Sequence, residues 1–323
     1  MALRASTSLP VTALVWALLN SSTALAEGDT SREARDDAWW TGPVVAASAN
    51  TLPEGRILVE PYLYDAIEIG HFDSGDHRRS TGQNQFFGSQ TYVNVGLTDS
   101  FLVGAIPRFG FQQLANGQSS PSPAVADLTL QAQVRLHRFD EQSRIPTISF
   151  NLSETFPTGR YDRLQRAGDG LGAGSYATAL SLYGQTFFWM PNGRILRARL
   201  DLTYTVSRST TVRDLSVYGT VNGFRGRAIP GDEYAANLAG EYSLTQRWVL
   251  AMDLVWQRQA NTQILGAAGG RQNTGESRVG YVVPALEYNV SARMGVIAGA
   301  RVAVMGRNSS ASVTPVAAIN CVF

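Results

Sequence analysis

The stretch ASVTPVAAINCVF, residues 311–323, ends the chain on an aromatic residue and alternates in polarity. Counting back from Phe323, the alternate positions Cys321 and Ile319 are apolar, whereas Asn320 falls on the opposite face. Strict alternation predicts a β-strand with one face in an apolar medium and the other in a polar one. A terminal strand exposes an unpaired edge unless it pairs with a second strand. We therefore expect this stretch to close a sheet.

Alternating segments recur along the chain from residue 55 onward. Strands that span a membrane need roughly 9–11 residues plus short extensions, and these segments are long enough. They are residues 55–70, 86–98, 101–113, 125–138, 147–156, 175–189, 195–206, 233–244, 248–260, 278–290, 295–306 and 312–323. The pattern predicts an all-β fold of about 12 strands.

Alternation alone fits a soluble β-sandwich as well as a membrane barrel, but the connections discriminate between them. Short connections, such as residues 99–100 and 245–247, alternate with long ones, such as residues 207–232. Membrane barrels have short periplasmic turns and long extracellular loops, with aromatic residues near the strand ends. We predict a transmembrane antiparallel up-and-down β-barrel, and the even number of strands places both termini in the periplasm.

The N-terminus has the features of a secretory signal. Arg4 gives a positive start, VTALVWALL at residues 11–19 gives a short apolar core, and Ala24-Leu25-Ala26 gives a cleavage site. We predict a signal peptide at residues 1–26, a periplasmic N-terminal segment at residues 27–54 and the barrel at residues 55–323. The expected location is the outer membrane of a Gram-negative bacterium.

Composition disfavours several functional classes. The formal net charge is +1, whereas a nucleic-acid-binding protein would need a strongly basic face. The single cysteine, Cys321, precludes an intramolecular disulfide and a cysteine-based zinc site. HFDSGDH, residues 71–77, is interpreted as a solvated loop in preference to a metal site, and no cofactor is expected. A barrel hydrolase would need a lipid-facing serine–histidine pair, but His137 shares the inward face of its segment, so we predict that the chain is not an enzyme.

The polar faces of the predicted strands give a set of candidate lumen residues. They are Glu60, Tyr62, Tyr64, Arg108, Arg135, Arg197, Arg199, Asp201, Glu233, Asn237, Glu241, Asp253, Glu287 and Arg301. Buried charges of both signs must pair or be hydrated. Two interpretations remain open, a charged lining that selects solutes and a salt-bridged filling that keeps a narrow barrel rigid.

Several patches resemble one known family. WWTGPVVAASANTLPEG followed by RILVEPYLY, residues 39–64, resembles the opening of the outer-membrane transporters named for the MetA-pathway of phenol degradation. ETFPTGRYD at residues 154–162 and LGAGSYATALSLYGQTFF at residues 171–188 resemble two further segments of that family. The terminal strand is also similar to the closing strands of outer-membrane barrels, in which Phe323, Cys321 and Ile319 would form the membrane-assembly signal.

The resemblance implies a channel or transporter for passive uptake of small, aromatic or hydrophobic molecules. The implied partners are outer-membrane lipid, the barrel-assembly machinery and a small solute, with a monomer favoured. One alternative is a closed structural or surface-interaction barrel whose extracellular loops carry the function. A second alternative is an outer-membrane barrel hydrolase.

Overall fold

A twelve-stranded antiparallel sheet closes on itself to form the body of the protein. The computed structural model describes residues 32–120 and 122–323, so the predicted signal peptide lies outside the described residues. The wall strands are β1 (Ile57–Phe72), β2 (Gln85–Thr98), β3 (Phe101–Ile106, continued as Arg108–Gln113), β4 (Leu128–His137), β5 (Thr147–Phe156), β6 (Ala177–Trp189), β7 (Ile195–Ser207), β8 (Glu233–Ser243), β9 (Trp248–Gln259), β10 (Ser277–Ser291), β11 (Met294–Arg307) and β12 (Ser309–Val322). The predicted all-β barrel of twelve strands is confirmed.

The seam of the barrel lies between the first and last wall strands. β1 pairs with β2 on one side and with β12 on the other, in a register that sets Leu58 opposite Val322. The backbone N–H of Phe323 donates to the Ile57 carbonyl at 2.8 Å, and the Ile57 N–H donates back at 3.3 Å. The terminal stretch therefore closes the sheet, as its alternation predicted.

One wall strand differs from the predicted continuous segment. β3 is interrupted at Pro107, which has no N–H to donate to a ladder. The strand continues beyond the interruption, where Arg108 lies opposite Gln90 of β2 and Phe109 lies opposite Val125. The wall stays paired on both sides of the proline.

The two faces of the wall differ in polarity, as β7 illustrates. Leu200 and Leu202 point outward and are 47% and 45% exposed, whereas Arg199 and Asp201 point inward and are buried. Outward aromatic pairs lie at both ends of the barrel. They are Trp248 with Tyr288, at a ring-centroid distance of 4.7 Å, and Tyr204 with Tyr234, at 4.9 Å. An apolar band between two aromatic girdles is the outer surface of a membrane barrel.

Short turns join the wall strands at one end, and most of the long connections lie at the other. Two of the long connections build a second, four-stranded sheet from Thr210–Arg213, Arg225–Ile229, Gln263–Gly266 and Arg271–Asn273. Smaller elements are the strands Arg78–Arg79 and Ala124–Val125 and the 3-10 helices Arg35–Asp37 and Ala167–Asp169. Neither of these single-turn helices in the described part of the chain has the length or hydropathy to cross a bilayer.

Deleting Phe323 should impair barrel assembly, because the deletion removes the outward aromatic ring and the hydrogen bonds to Ile57 at the seam. We expect a severalfold smaller fraction of folded protein in outer membranes, measured as the heat-modifiable band on gels of unboiled samples. Phe188→Ala is the matched control, since Phe188 is an outward phenylalanine near the same end and lies away from the seam. Normal insertion of the truncated chain would contradict the closing role.

Candidate functional site: the barrel lumen

Residues 39–53, here called the lumen segment, run inside the barrel. The segment begins at the turn between β8 and β9, where the Trp39 N–H donates to the Gln246 carbonyl at 2.9 Å. It ends at the short turn between β2 and β3, where the Thr51 hydroxyl donates to the Asp99 carbonyl at 2.5 Å. The lumen segment belongs to the predicted periplasmic N-terminal segment, residues 27–54, and it crosses the lumen.

Three buried carboxylates of the wall bind the backbone of the lumen segment. The pairs are Glu287 with the Thr41 N–H (2.8 Å), Asp253 with the Ala46 N–H (2.9 Å) and Asp201 with the Ala47 N–H (2.7 Å). A buried N–H group without an acceptor is costly, and a carboxylate is a strong acceptor for it. The acidic face of the wall therefore provides the acceptors that an irregular segment inside a barrel needs.

Two arginines of β7 neutralise a fourth carboxylate. Glu241 is fully buried, and its carboxylate pairs with the Arg197 guanidinium and lies 3.1 Å from the Arg199 Nε. Arg199 also donates to the Ala46 carbonyl at 2.9 Å, while the Arg197 guanidinium lies 4.5 Å from the centre of the Trp40 ring. The ion pairs thus hold the lumen segment through both its backbone and an aromatic side chain.

The opposite wall holds the segment through neutral groups. The Gln133 amide of β4 donates to the Ser48 carbonyl at 2.9 Å, and the Ser149 hydroxyl of β5 donates to the Ala49 carbonyl. Together with the carboxylates, these contacts fix the lumen segment across the barrel.

A cavity of about 1190 Å³ lies beside the lumen segment. Its lining reaches from Ala292 and Val322, near the end with short turns, to Tyr218 and Pro230 in a long connection at the other end. Side chains of both charge signs line it, including Glu60 and Arg108 in addition to the β7 charges. The cavity therefore extends along the barrel and is not confined to one mouth.

Aromatic rings cover part of the inner wall. Tyr62 and Tyr92 meet edge to face with centroids 5.8 Å apart. The Tyr64 ring lies over Gly88, where an added Cβ would come within 2.4 Å of the ring. Phe86, whose ring covers a neighbouring glycine of β3, also lines the cavity. The glycines let these rings lie against the backbone, so this side of the lumen presents flat aromatic surfaces beside polar groups.

The predicted lumen residues fall into three groups. Lining the cavity are Glu60, Tyr62, Arg108, Arg197, Arg199, Asp201, Glu233 and Asn237. Glu241, Asp253 and Glu287 are fully buried and are engaged by other groups. Of the remainder, Arg301 donates to the Gln257 amide oxygen at 2.8 Å, and Arg135 lies near the end of β4.

The residues of the predicted assembly signal lie on or near the outer surface. Ile319 and Phe323 are 43% and 66% exposed, and Cys321 is half-buried opposite Val59. Their role in assembly stays a prediction.

Sequence reasoning missed the lumen segment and several polar wall residues. Tyr92, Asn94, Gln131 and Gln133 lie on inward faces of predicted strands and line the cavity, but the candidate set did not include them. The segment itself lacks periodicity because it is irregular. Its available signal was the adjacent pair Trp39 and Trp40, which an exposed leader would not be expected to carry.

The histidine-containing loop at residues 71–77 is organised by one aspartate. The pKa of Asp73 falls to about 2, because its carboxylate accepts the backbone N–H groups of His77 and Gly75 and the Arg79 guanidinium. Within residues 32–120 and 122–323, no group of three or more potential metal ligands comes together.

Comparisons with known proteins agree with this architecture. The family model described as "Putative MetA-pathway of phenol degradation" matches residues 70–314. An outer membrane channel from Pseudomonas putida F1 is similar in structure, with a TM-score of 0.65 and 17% identity over 87% of this chain and 100% of that chain. The fold is therefore shared with an outer-membrane barrel.

Two further solved barrels align less well. The β domain of the Bordetella autotransporter BrkA gives a TM-score of 0.44 and 10% identity over 84% of this chain and 100% of that chain. The Pseudomonas putida toluene transporter TodX gives 0.37 and 13% identity over 84% and 90%. No curated protein matches the chain in sequence.

Replacing Glu241 should destabilise the barrel strongly. Glu241→Gln leaves the buried Arg197 and Arg199 without their carboxylate, and breaking a buried pair costs about 3–5 kcal/mol. We expect a clear loss in the free energy of unfolding in urea, measured in lipid vesicles. Glu276→Gln is the matched control, because it breaks an exposed pair with Arg258 that solvent screens and that contributes little to stability. Equal effects of the two substitutions would contradict a structural role for the buried cluster.

Proposed function

This chain belongs to the family described as the MetA-pathway of phenol degradation, and we propose that it is an outer-membrane channel for passive uptake of small molecules. It acts as a monomer in the outer membrane, with its termini and short turns in the periplasm and its long connections outside the cell. Aromatic or hydrophobic compounds are the proposed solutes, consistent with the pathway in the family's name. No covalent step and no cofactor are required.

The observation that carries the proposal is the cavity that extends along the barrel. A barrel of twelve strands is intermediate in width. Side chains fill barrels of about eight strands, and barrels of 16–18 strands hold an aqueous channel. Here the lumen segment occupies part of the interior, and about 1190 Å³ remains beside it. A barrel whose interior served rigidity alone would have no need of a cavity lined towards both ends.

The lining supports diffusion of amphipathic solutes. The rings of Tyr62, Tyr92 and Phe86 offer apolar contact, while Gln131 and Arg108 offer hydrogen bonds along the same passage. Binding has to be favourable enough for entry and weak enough for release. The lumen segment narrows the passage on the side of the short turns, so it sets which solutes pass.

A closed structural barrel is the second candidate, and the buried ion pairs favour it. Arg197 and Arg199, paired with Glu241, contact the lumen segment and would hold a permanently shut interior. A hydrolase is the weaker alternative, because the imidazole Nδ1 of His137 lies 2.9 Å from the Pro146 carbonyl, and no serine in the described part of the chain is hydrogen-bonded to it.

Removing the lumen segment tests the channel against the closed barrel. Deleting residues 40–50 should raise single-channel conductance in planar bilayers severalfold, because the deleted backbone crosses the lumen. The intact protein should already conduct and should admit small aromatic solutes into liposomes. A deletion of residues 115–119, in a turn outside the cavity lining, is the control. The channel would be refuted if the intact protein showed no conductance and no solute uptake.

A charge reversal in the lining should change ion selectivity. Arg108→Glu replaces a lining cation with an anion, so the reversal potential in a salt gradient should shift towards cation selectivity. Arg307→Glu makes the same change in net charge at the exposed end of β11, outside the cavity lining, and should shift the potential much less. Equal shifts for both variants would place the ion pathway outside this cavity.

A further inference from the structure

The four-stranded sheet built by the long connections has one buried face and one exposed face. Val212, Ala228 and Ile264 point to the buried face and are at most 4% exposed. Their burial anchors the sheet against the rest of the protein. The exposed face is consequently presented to solvent by a paired, hydrogen-bonded framework and not by an irregular loop.

Arginine dominates the exposed face. Arg213 lies directly opposite Arg225, and Arg227 lies in the same cross-strand row as Leu265 and Arg271. All four arginines are exposed. Like charges directly opposite each other in a sheet repel. Four arginines on one face therefore concentrate positive charge, although the formal net charge of the chain is only +1.

The four arginines have no carboxylate partner among the residues that the structure describes. Arg227 donates to the Ser209 hydroxyl at 2.5 Å, and Arg271 donates to the Gln263 amide oxygen at 2.9 Å, so both bind neutral groups. The nearby Asp162 carboxylate accepts the Arg213 backbone N–H at 3.1 Å and forms no ion pair with its guanidinium.

Two arginines of the wall strands, at the same end of the barrel, are neutralised. Arg258 pairs with Glu276 at 2.7 Å, and Arg278 pairs with Asp76 at 2.8 Å. The four-stranded sheet differs in that it places four arginines without a described carboxylate partner together on one face. A groove of about 500 Å³ runs across that sheet and is lined by Arg213, Arg225 and Arg227. The basic face has the concave shape that an anionic group would need.

We propose that this basic face binds the phosphate groups of the glycolipid that forms the outer leaflet of the membrane. The guanidinium group presents a planar fork of donors that matches phosphate oxygens in a bidentate geometry. The sheet lies at the end of the barrel with the long connections, which is the outer side in the proposed orientation. Clusters of basic residues next to a bilayer bind anionic headgroups in this way.

Titration of the purified protein in detergent with fluorescent diphosphorylated lipid A tests the proposal. The variant with Arg213, Arg225 and Arg227 all replaced by Gln should bind about tenfold more weakly, since it loses the charge-assisted contacts of the groove. Binding of lipid A to the unaltered protein should weaken as the salt concentration is raised. Fully dephosphorylated lipid A should bind the unaltered protein no more tightly than it binds the triple variant.

A matched variant removes the same charge at the other mouth, with Arg138, Arg144 and Arg293 replaced by Gln, and should retain binding. Heat-modifiable mobility on gels confirms that both variants are folded. Equal lipid A binding by the two variants, or equal binding of dephosphorylated lipid A to the unaltered protein, would overturn the proposal. Tight binding of inorganic phosphate alone, without preference for the lipid, would identify a site for soluble anions and would also overturn it.

Discussion

Pairing of β1 with β12 is the interaction on which the rest of the structure depends. In hydrocarbon every backbone N–H and C=O needs a partner, so a sheet in a membrane has to close. The reciprocal bonds between Ile57 and Phe323 complete that closure at the end with the short turns. Because the chain enters β1 at this same end, the residues before Ile57 emerge at the barrel mouth. The lumen segment, which precedes β1 in the chain, can therefore leave the lumen at this mouth and continue directly into β1.

The presence of main chain in the lumen explains the charges of the inner wall. Twelve strands enclose more space than their inward side chains fill, and an irregular segment brings N–H groups that need acceptors. Asp201, Asp253 and Glu287 accept those N–H groups, and Glu241 balances two arginines that also contact the segment. The two interpretations of the charged lumen are thus compatible, since buried charges fix the segment while others border a cavity.

Local periodicity made the wall predictable from sequence, and its absence concealed the lumen segment. In β7 the alternation of Arg199 and Asp201 with Leu200 and Leu202 follows from a two-residue repeat that any reader can count. The lumen segment binds through backbone groups to wall residues as much as 250 positions away in the chain, and no local pattern encodes such contacts. The second sheet escaped prediction for a related reason, because its strands are short and pair between two separate connections. A strand break at Pro107 was foreseeable from the missing N–H, but where the wall continues depends on its neighbours.

Arg197 and Arg199 inside the barrel are ion-paired, whereas the arginines on the exposed face of the four-stranded sheet have no carboxylate partner in the described part of the chain. A charge inside the barrel is stable when it is paired, because desolvation of an unpaired charge is costly, and Arg197 and Arg199 both reach Glu241. An exposed charge is hydrated and needs no partner, so physics does not force Arg213 and Arg225 to find one. Placing them opposite each other nevertheless costs repulsion. That cost is recovered when an anion lies between the two guanidinium groups, so the outer face gains stability on binding, whereas the inner cluster is already complete.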